Sequence, residues 1–403
     1  MANFPIRSLL SNDLYKFSMH QAAFHNFPET HVKVEWKCRG NEKLGHLKDK
    51  LDAALDNFCT LRFTEDEINY LGKFSWFKED YLNYLLRWYP LRKQIKTGVD
   101  ADGQLTVVAE GPEIDVIHFE IPVLATISEL YMDDYLEKHN LDRAEMEKLG
   151  LENVDMMIDK LKDCYSKGHK FTFADFGLRR RFSADYHEKV VKRFLERAPE
   201  FFVGTSDVLL AKELGCKPIG TFAHEWFMML QNHPEIPIGN VQQKALDVWA
   251  REYRGELGIA LSDIFGFKAF LRDFDKYYAK LFDGCRHDSG DPFTWGEMLI
   301  EHYEKLGIDP KTKVGCWSDS LNAEKCVDIA KAFCGRIKVS FGVGTAITNS
   351  TPIKPLNMVM KLVEANGKPC VKLSDSLGKS MCHDESFIEY VKKQYNYKSI
   401  DEK

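Results

Sequence analysis

The stretch KFTFADFGLRRRFS at residues 170–183 places a short apolar run before small and basic residues, and a helical stretch follows it. This order of apolar run, polar turn and amphipathic helix recurs from about residue 170 onward and is typical of βα units. Apolar residues run through most of the predicted strands, as they do in parallel strands buried on both faces. The predicted strands are 170–176, 218–223, 258–262, 282–286, 314–317 and 337–341.

Stretches with helical periodicity lie between these strands, for example at 267–280, 295–306 and 323–333. Six or more βα units favour a (β/α) barrel, so the predicted fold class is α/β. An open doubly wound sheet is the alternative, but the G-x-G-x-x-G motif that would open its first helix is missing. Gly342-Val343-Gly344 comes late in the chain and is followed by no third glycine.

The N-terminal part lacks this alternation, and a smaller α+β domain at 1–135 is therefore predicted beside a barrel domain at 136–355. Residues 30–38 alternate between apolar and charged side chains, which indicates a half-exposed strand. The C-terminal segment 356–403 is expected to pack back on the N-terminal domain. Further predicted elements are strands at 105–109 and 116–121 and helices at 44–58, 65–71 and 122–136.

Composition argues against several classes of function. The 403 residues carry a net charge of −6, so the chain has no electrostatic footprint for nucleic acid or an anionic membrane. Ten cysteines without a C-x-x-C pair argue against a zinc site and favour free thiols in a reducing cytosol. No signal peptide is evident, and no stretch approaches the roughly 20 apolar residues of a membrane span. A cytoplasmic protein with small-molecule partners is expected.

The carboxyl ends of the predicted strands carry the least ordinary polar residues of the chain. Loops at these ends converge on one mouth in a barrel, and barrel chemistry is found there. An arginine at the end of a buried strand, such as Arg286, needs an anion as its partner. In chain order the ends hold 177–181 (GLRRR), Thr221, His224 and Glu225, Asp263, 286–291 (RHDSGD), 318–320 (SDS) and 342–345 (GVGT).

Several of these features also have a structural explanation. The arginines at 179–181 are compatible with a solvated helix start. His224 beside Glu225 is compatible with a buried hydrogen-bonded pair, which is the commoner fate of a single histidine. Residues 288–292 contain the Asp, Ser and Pro that open helices, but this explanation does not account for the neighbouring arginine.

Two glycine-containing segments invite comparison with phosphate sites. The turn at 342–345 is compatible with a tight turn alone, although glycine also lets a phosphate approach backbone N–H groups. Its place after a late strand matches the usual phosphate site of barrels, which favours phosphate binding. The GKS at 378–380 is no P-loop, because Leu373 stands where the first glycine of that motif belongs.

Seven segments, taken in order, resemble nicotinate phosphoribosyltransferases over nearly the whole chain. Any one of them is weak evidence, but seven in the right order are highly specific. The segments are 12–19 (NDLYKFSM), 176–183 (FGLRRRFS), 204–206 (GTS), 220–226 (GTFAHEW), 286–292 (RHDSGDP), 318–319 (SD) and 341–345 (FGVGT).

The resemblance implies a type II phosphoribosyltransferase fold, in which an irregular α/β barrel stands beside an α/β domain built mainly from the N-terminal part. It also implies a homodimer with each active site at the subunit interface. Such an enzyme makes nicotinate mononucleotide and pyrophosphate from nicotinate and phosphoribosyl pyrophosphate. The reaction is coupled to ATP hydrolysis and belongs to NAD biosynthesis.

The resemblance further implies which residues hold the pyridine. Tyr15 and Phe176 would sandwich the ring, with the partner subunit as one source of Tyr15. Thr221 and Arg286 would meet the nicotinate end of the site. Arg179 would act there or at the phosphates.

For the phosphates and the ribose, the resemblance implies a second set of residues. Gly342, Gly344 and Thr345 would bind the 5-phosphate. Asp288 and Asp319 would bind either the ribose hydroxyls or the pyrophosphate with its Mg²⁺. The ligands of the Mg²⁺ ion itself are left unassigned.

His224 is implied as the transient acceptor of a phosphoryl group from ATP. Neutral imidazole is nucleophilic, and its usual pKa of about 6.5 makes that form available near pH 7. A carboxylate must fix the tautomer, and Asp263 is predicted for this role because it ends the adjacent barrel strand at the same layer. Glu225 would point the opposite way if the strand continued through it.

Three alternatives stay open at this stage. A nicotinamide-using relative would need an uncharged partner in place of Arg286, and the relatives that use the amide lack a histidine followed directly by Glu-Trp. A barrel glycosidase would use paired acids at strand ends but would not have the phosphate turn. A non-catalytic barrel that senses nucleotides is disfavoured because the full polar set is present.

Overall fold

The computed structural model describes residues 4–376 and 381–401, so the segment 378–380 lies outside the described residues. The described chain forms one antiparallel sheet of five strands and one parallel sheet of seven, with helices packed on both. None of the described helices is both long and apolar enough to cross a bilayer. The α-helices are α1 (Leu14–Asn26), α2 (Lys48–Phe58), α3 (Glu65–Leu71), α4 (Glu79–Leu85), α5 (Glu113–Val116), α6 (Glu120–His139), α7 (Arg143–Ser166), α8 (Ala184–Arg197), α9 (Val208–Leu214), α10 (His224–Met228), α11 (Val241–Tyr253), α12 (Phe267–Asp273), α13 (Lys276–Leu281), α14 (Pro292–Lys305), α15 (Ala323–Phe333), α16 (Thr345–Thr348) and α17 (Glu385–Gln394).

Three N-terminal strands begin the antiparallel sheet: β1 (His31–Cys38), β2 (Ile95–Val99) and β3 (Leu105–Pro112). β1 alternates as the sequence predicts, since Val32, Val34 and Trp36 are buried and the residues between them are more exposed. β3 pairs with β1 on one side and with β2 on the other. The half-exposed strand predicted at 30–38 is therefore confirmed.

The strand predicted at 116–121 is wrong, because this stretch ends α5 and opens α6. Its apolar side chains, among them Val116, Ile117 and Phe119, are buried between elements. A short apolar run carries no period that distinguishes a buried strand from a helix junction, so tertiary packing decides its conformation.

Seven strands form the parallel sheet: β4 (Phe171–Asp175), β5 (Phe202–Thr205), β6 (Lys217–Pro218), β7 (Ile259–Leu261), β8 (Gly284–His287), β9 (Val314–Trp317) and β10 (Lys338–Val343). Their order is β6-β5-β4-β10-β9-β8-β7, and each pair of neighbours is parallel. The sheet curls with helices outside it, which confirms the predicted α/β class. β5 is a strand that the sequence analysis did not predict.

The strand predicted at 218–223 is shorter than expected, because β6 ends at Pro218 and α10 already begins at His224. β6 and β7 are the two edges of the curled sheet. Between them, the hydroxyl of Thr221 donates to the carbonyl oxygen of Ile259 at 2.8 Å. In a regular barrel, a ladder of hydrogen bonds between two strands would close the sheet at this place. Here the bond from Thr221 joins the segment after β6 to β7.

Large aromatic side chains fill the space between the barrel and its helices. Trp317 of β9 lies 5.3 Å from Trp295 of α14 and 5.2 Å from Phe333 of α15, measured between ring centroids. Each ring of this kind buries about 150–250 Å². These contacts hold α14 and α15 against the sheet and so fix the loops at its carboxyl end.

The segment before α1 is anchored on the barrel by main-chain hydrogen bonds. Leu14 N–H donates to the carbonyl of Ser206 at 2.9 Å, and Val208 N–H donates to the carbonyl of Asn12 at 3.0 Å. Ser206 directly follows β5, so the start of α1 lies at the carboxyl end of that strand. Tyr15, in the first turn of α1, therefore reaches the barrel mouth although it lies far from the barrel in sequence.

The C-terminal part of the chain contacts both sheets. Two strands, β11 (Met358–Ala365) and β12 (Lys368–Pro369), extend the antiparallel sheet to the order β12-β11-β1-β3-β2. Beyond them, Leu373 N–H donates to the carbonyl of Ile264 at 2.9 Å, and the ring of Tyr395 stacks on Phe265. The last segment thus crosses from the antiparallel sheet to the barrel mouth.

Candidate active site

A cavity of about 580 Å³ opens where the carboxyl ends of the parallel strands face β1 and β11. This volume is that of an ordinary small-molecule site, and barrel sites lie at this end of the strands. Ten of the twelve site residues predicted from the sequence line it: Tyr15, Phe176, Arg179, His224, Arg286, Asp288, Asp319, Gly342, Gly344 and Thr345.

The other two predicted site residues, Thr221 and Asp263, do not line the cavity. The hydroxyl of Thr221 is committed to the carbonyl of Ile259, and its own carbonyl accepts from Ser18 at 2.5 Å. Asp263 lies behind His224 with 1% of its surface exposed. Both residues therefore support the wall of the cavity from outside it.

His224 is held by the carboxylate of Asp263. Its Nε2–H donates to Oδ1 of Asp263 at 2.7 Å, and the other oxygen of Asp263 accepts from Ser289 at 2.6 Å. No strand continues through Glu225, because the backbone turns into α10 at His224. Glu225 instead points toward the ammonium of Lys16.

A lysine that the sequence analysis missed completes this network. The Nζ of Lys372 lies 2.9 Å from Asp263 and 3.4 Å from Asp288, and its side chain is 6% exposed. Its one sequence signal is a charged residue within the apolar stretch 370–373. Burial works against ionisation of Asp263, but Lys372 and His224 outweigh it and hold the pKa of Asp263 well below its usual range.

The same surroundings keep His224 neutral. Burial lowers the pKa of His224 and Lys372 lowers it further, while Asp263 offsets these effects only in part. With the proton on Nε2, the lone pair is on Nδ1, which makes the imidazole a nucleophile at neutral pH. His224, Asp263 and Asp288 offer three metal-binding atoms within 4.8 Å of one another. Since Lys372 already supplies a cation to both carboxylates, we interpret the cluster as a His–Asp–Lys network.

The cavity carries more cations than carboxylates. Arg286 is the clearest of them, since its Nε is buried and has no hydrogen-bond partner among the described residues. On the opposite wall, burial together with Lys372 and Arg39 lowers the pKa of Lys361 to about 7. An incoming anion would relieve both conditions. The cations of the lining are Arg39, Arg179, Arg180, Arg286, Lys361 and Lys372, and its carboxylates are Glu120, Glu225, Asp288 and Asp319.

Gly342 near the end of β10 and Gly344 directly after it allow a close approach to Phe176. A Cβ on Gly342 would lie 2.2 Å from the ring of Phe176, and a Cβ on Gly344 would lie 2.9 Å from its carbonyl oxygen. Phe176 N–H donates to the carbonyl of Val343 at 2.8 Å. Both glycines are therefore needed to seat the ring at the cavity wall, whatever ligand the turn binds.

Tyr15 lies in the cavity of its own chain, next to the guanidinium of Arg179. Within a single chain, Tyr15 thus already reaches this cavity, and its supply by a partner subunit stays a prediction. The reason is the anchoring of α1 on the end of β5, which acts over a large sequence separation. Local sequence pattern does not report such a contact.

A buried group of carboxyls lies on the side of the cavity opposite Asp263. Lys16 pairs with Glu120 at 2.7 Å and with Glu225, and all three side chains are largely buried. The carboxyl of Glu113 is fully buried beside Glu225. Burial, and then the charge of Glu225, raise the pKa of Glu113 well above its usual range. A neutral Glu113 can donate a hydrogen bond to Glu225.

The fold and this site together define a barrel enzyme whose cation-rich cavity suits an anionic small molecule. The sequence profile of the Nicotinate phosphoribosyltransferase (NAPRTase) family matches residues 171–399, and that of its N-terminal domain matches residues 10–128. The chain belongs to the nicotinate phosphoribosyltransferase family.

Individual relatives agree with this assignment over almost their full length. The chain is 43% identical to the nicotinate phosphoribosyltransferase of Acinetobacter baylyi, over 97% of this chain and 96% of that one. It is also 43% identical to that of Chromobacterium violaceum, over 98% of both. The crystal structure of nicotinate phosphoribosyltransferase from Vibrio cholerae superposes with a TM-score of 0.92 at 35% identity, covering 99% of this chain and 95% of the other. That from Porphyromonas gingivalis gives 0.88 at 31% identity, over 97% and 100% of the two chains.

The raised pKa of Glu113 predicts a specific pH dependence of stability. The folded protein favours the neutral carboxyl, so stability is fully present below the ordinary pKa near 4.5 and is lost as pH rises through the folded value. Glu113→Gln is neutral at every pH. The melting temperature of Glu113→Gln minus that of the wild type at the same pH is expected to increase as pH rises above about 4.5.

Calorimetry of the two proteins across this range measures the effect, with Glu110→Gln on the exposed side of β3 as the matched control. The control is expected to follow the wild type. Parallel curves for Glu113→Gln and wild type would show that Glu113 is ionised in the folded protein.

Proposed function

We propose that this chain transfers the ribose 5-phosphate unit of phosphoribosyl pyrophosphate to nicotinate, as an ATP-coupled step of NAD biosynthesis. The observation that carries the proposal is the buried, unpartnered Nε of Arg286 in a cavity that also holds the rings of Tyr15 and Phe176. A flat ring with one carboxylate satisfies both features at once. The names of the relatives support the same substrate.

In the transfer, the pyridine nitrogen forms a bond to C1 of the ribose while the bond from C1 to the pyrophosphate oxygen breaks. The electron pair of that bond leaves with pyrophosphate. The ribose carries positive charge between these events, so positioning and electrostatics supply most of the catalysis. Stacking by Tyr15 and Phe176 orients the ring, and Arg286 holds its carboxylate. Arg179 assists there or at the phosphates.

The phosphates have two sets of partners in this proposal. Gly342, Gly344 and Thr345 bind the 5-phosphate, since the first turn of α16 leaves backbone N–H groups without helical partners. Asp288 and Asp319 hold the ribose hydroxyls or the Mg²⁺ that accompanies pyrophosphate. Carboxylate oxygens at the cavity wall suit this ion, which would neutralise the charge of the leaving group.

ATP acts through His224 in this proposal. The Nδ1 lone pair attacks the terminal phosphorus of ATP, the bond to the bridging oxygen breaks, and ADP leaves with the electron pair. Asp263 holds the Nε2 proton and stabilises the positive ring that forms. Lys372, whose ammonium lies beside Asp263 and Asp288, supplies a positive charge in this network. That charge would offset the negative charge of a phosphoryl group on the ring. A phosphorylated side chain is a state through which ATP can change the affinity for other ligands.

We also propose that the enzyme is a cytoplasmic homodimer with shared active sites, without nucleic-acid or membrane partners. The negative net charge supports the latter part of this proposal. The open side of the cavity beside β11 is where a second subunit could add residues. Within the chain itself, Tyr15 already lines the cavity.

Turnover assays test the function directly. The protein is incubated with phosphoribosyl pyrophosphate and either nicotinate or nicotinamide, with and without ATP, and mononucleotide and pyrophosphate are measured. We expect nicotinate mononucleotide, formed faster with ATP, and little product from the amide. Preference for nicotinamide would overturn the acid specificity, and no consumption of phosphoribosyl pyrophosphate with either ring would overturn the transfer itself.

Removal of the Arg286 guanidinium should weaken nicotinate binding. A carboxylate in a desolvated pocket loses a charge-assisted hydrogen bond worth about 1.5–3 kcal/mol, so Arg286→Ala should raise the KM for nicotinate at least about tenfold. Steady-state kinetics with nicotinate varied measure this. Arg336→Ala removes an exposed arginine that pairs with Glu297 and serves as the control, with an unchanged KM. An unchanged KM in Arg286→Ala would remove Arg286 from the nicotinate site.

Loss of the His224 imidazole should abolish ATP coupling without unfolding the protein. His224→Asn is expected to keep a residual ATP-independent transfer, to take up no acid-labile phosphate from ATP, and to show no tightening of substrate binding by ATP. Labelling with γ-phosphate-labelled ATP measures the phosphoprotein. Recovery of acid-labile phosphate on this variant would end the assignment.

The chain contains a matched control for this experiment. His187 forms a fully buried pair with Asp175 at 2.6 Å and does not line the cavity. His187→Asn should lower the melting temperature but retain labelling by ATP. Equal labelling loss in both variants would point to structural damage rather than to a phosphate acceptor.

A further inference from the structure

The ammonium of Lys16 is completely buried between two carboxylates. It lies 2.7 Å from Oε2 of Glu120 and also donates to Oε2 of Glu225. Burial alone would lower the pKa of Lys16, but the two carboxylates outweigh it and raise the pKa above its usual value. Lys16 is therefore a permanent cation at the base of the cavity.

Each member of this ion group is joined to a residue of the candidate site. Lys16 directly follows Tyr15 on α1, and Glu225 directly follows His224 at the start of α10. Glu120 opens α6, and its Oε1 lies 3.8 Å from the guanidinium of Arg179. One ammonium thus connects α1, which carries Tyr15, with α10, which carries His224, and reaches Arg179 through Glu120.

The charges of the group balance only as a unit. With Glu113 neutral and donating to Glu225, two carboxylates remain, and they are matched by Lys16 and by Arg179 beside Glu120. Loss of Lys16 would leave Glu120 and Glu225 buried without their shared cation. Both side chains would then seek other partners, and Arg179 is the nearest cation to Glu120.

We propose that Lys16 is a positioning residue, which holds Arg179 and the pyridine-binding ring of Tyr15 in register with the helix that carries His224. The proposal rests on the function proposed above. Lys16 does not itself line the cavity, so it acts through Glu120 and Glu225, which do. A purely structural lysine would support stability without influencing how the enzyme treats either substrate.

The test compares Lys16→Met, Lys16→Arg and wild type by steady-state kinetics. In Lys16→Met we expect the KM for nicotinate to rise between about tenfold and a hundredfold, because small displacements of positioning groups have effects of that size. The KM for phosphoribosyl pyrophosphate should change less than that for nicotinate, since none of the ion pairs of Lys16, Glu120 and Glu225 among the described residues involves the turn at 342–345. Lys16→Arg restores the cation and should recover part of the nicotinate affinity.

Lys313→Met is the matched control for loss of a buried ammonium. Lys313 is buried at the opposite end of the barrel, before β9, and donates to the carbonyls of Lys280 and Phe282. The Lys313→Met variant should have a lower melting temperature and unchanged KM values for nicotinate and for phosphoribosyl pyrophosphate. If Lys16→Met behaves in the same way, the positioning role is overturned and a structural role remains.

A second variant covers the case in which Lys16→Met does not fold. Glu120→Gln keeps the volume of the side chain and removes the charge that faces both Lys16 and Arg179, so it should also raise the KM for nicotinate selectively. An unchanged KM in this folded variant would overturn the proposal. Failure of the proposed function is distinguishable, because the wild type itself would then form no nicotinate mononucleotide.

Discussion

A charge removed from water must find an opposite charge within a few ångströms, and this constraint shapes the whole mouth of the barrel. On one side of His224, Asp263 is neutralised by Lys372. Elsewhere at the barrel mouth, Lys16 is neutralised by Glu120 and Glu225. The imidazole is held by Asp263, while burial and Lys372 lower its pKa. The one buried guanidinium nitrogen without such a partner, among the described residues, marks where an anionic ligand is expected.

These ion groups also join parts of the chain that lie far apart in sequence. Lys372 comes from the segment after the last strand of the antiparallel sheet, and Lys16 comes from the first helix. The barrel supplies His224 and Asp263, but their electrostatic environment depends on Lys372 from the C-terminal part of the chain. Site and fold are therefore not separable here, since the lysine that tunes the histidine also ties the segment after β12 to the barrel.

The predictions from sequence succeeded where period and position carry the information. The buried strand at 314–317 and the alternating strand at 30–38 are present. The predictions failed where a short apolar run has no period, as at 116–121. They also failed where the chain leaves a strand earlier than its apolar residues suggest, as after Pro218. β11 went unpredicted although its alternation of Met358, Met360 and Leu362 with polar or smaller residues is visible in the sequence.

The sequence by itself determined which chemical groups end the barrel strands, because a polar residue after a buried apolar run is a local pattern. It thereby indicated eight residues of the cavity and, through seven ordered segments, Tyr15, Phe176 and the family. Only the tertiary structure decided that Thr221 bonds to the main chain, that Tyr15 lines the cavity, that Lys16 pairs with Glu225 and that Lys372 pairs with Asp263. Those outcomes depend on contacts between residues distant in sequence, from 38 positions for Thr221 and Ile259 to 209 for Lys16 and Glu225. Burial at these contacts makes each lysine a determinant of its neighbours' charge.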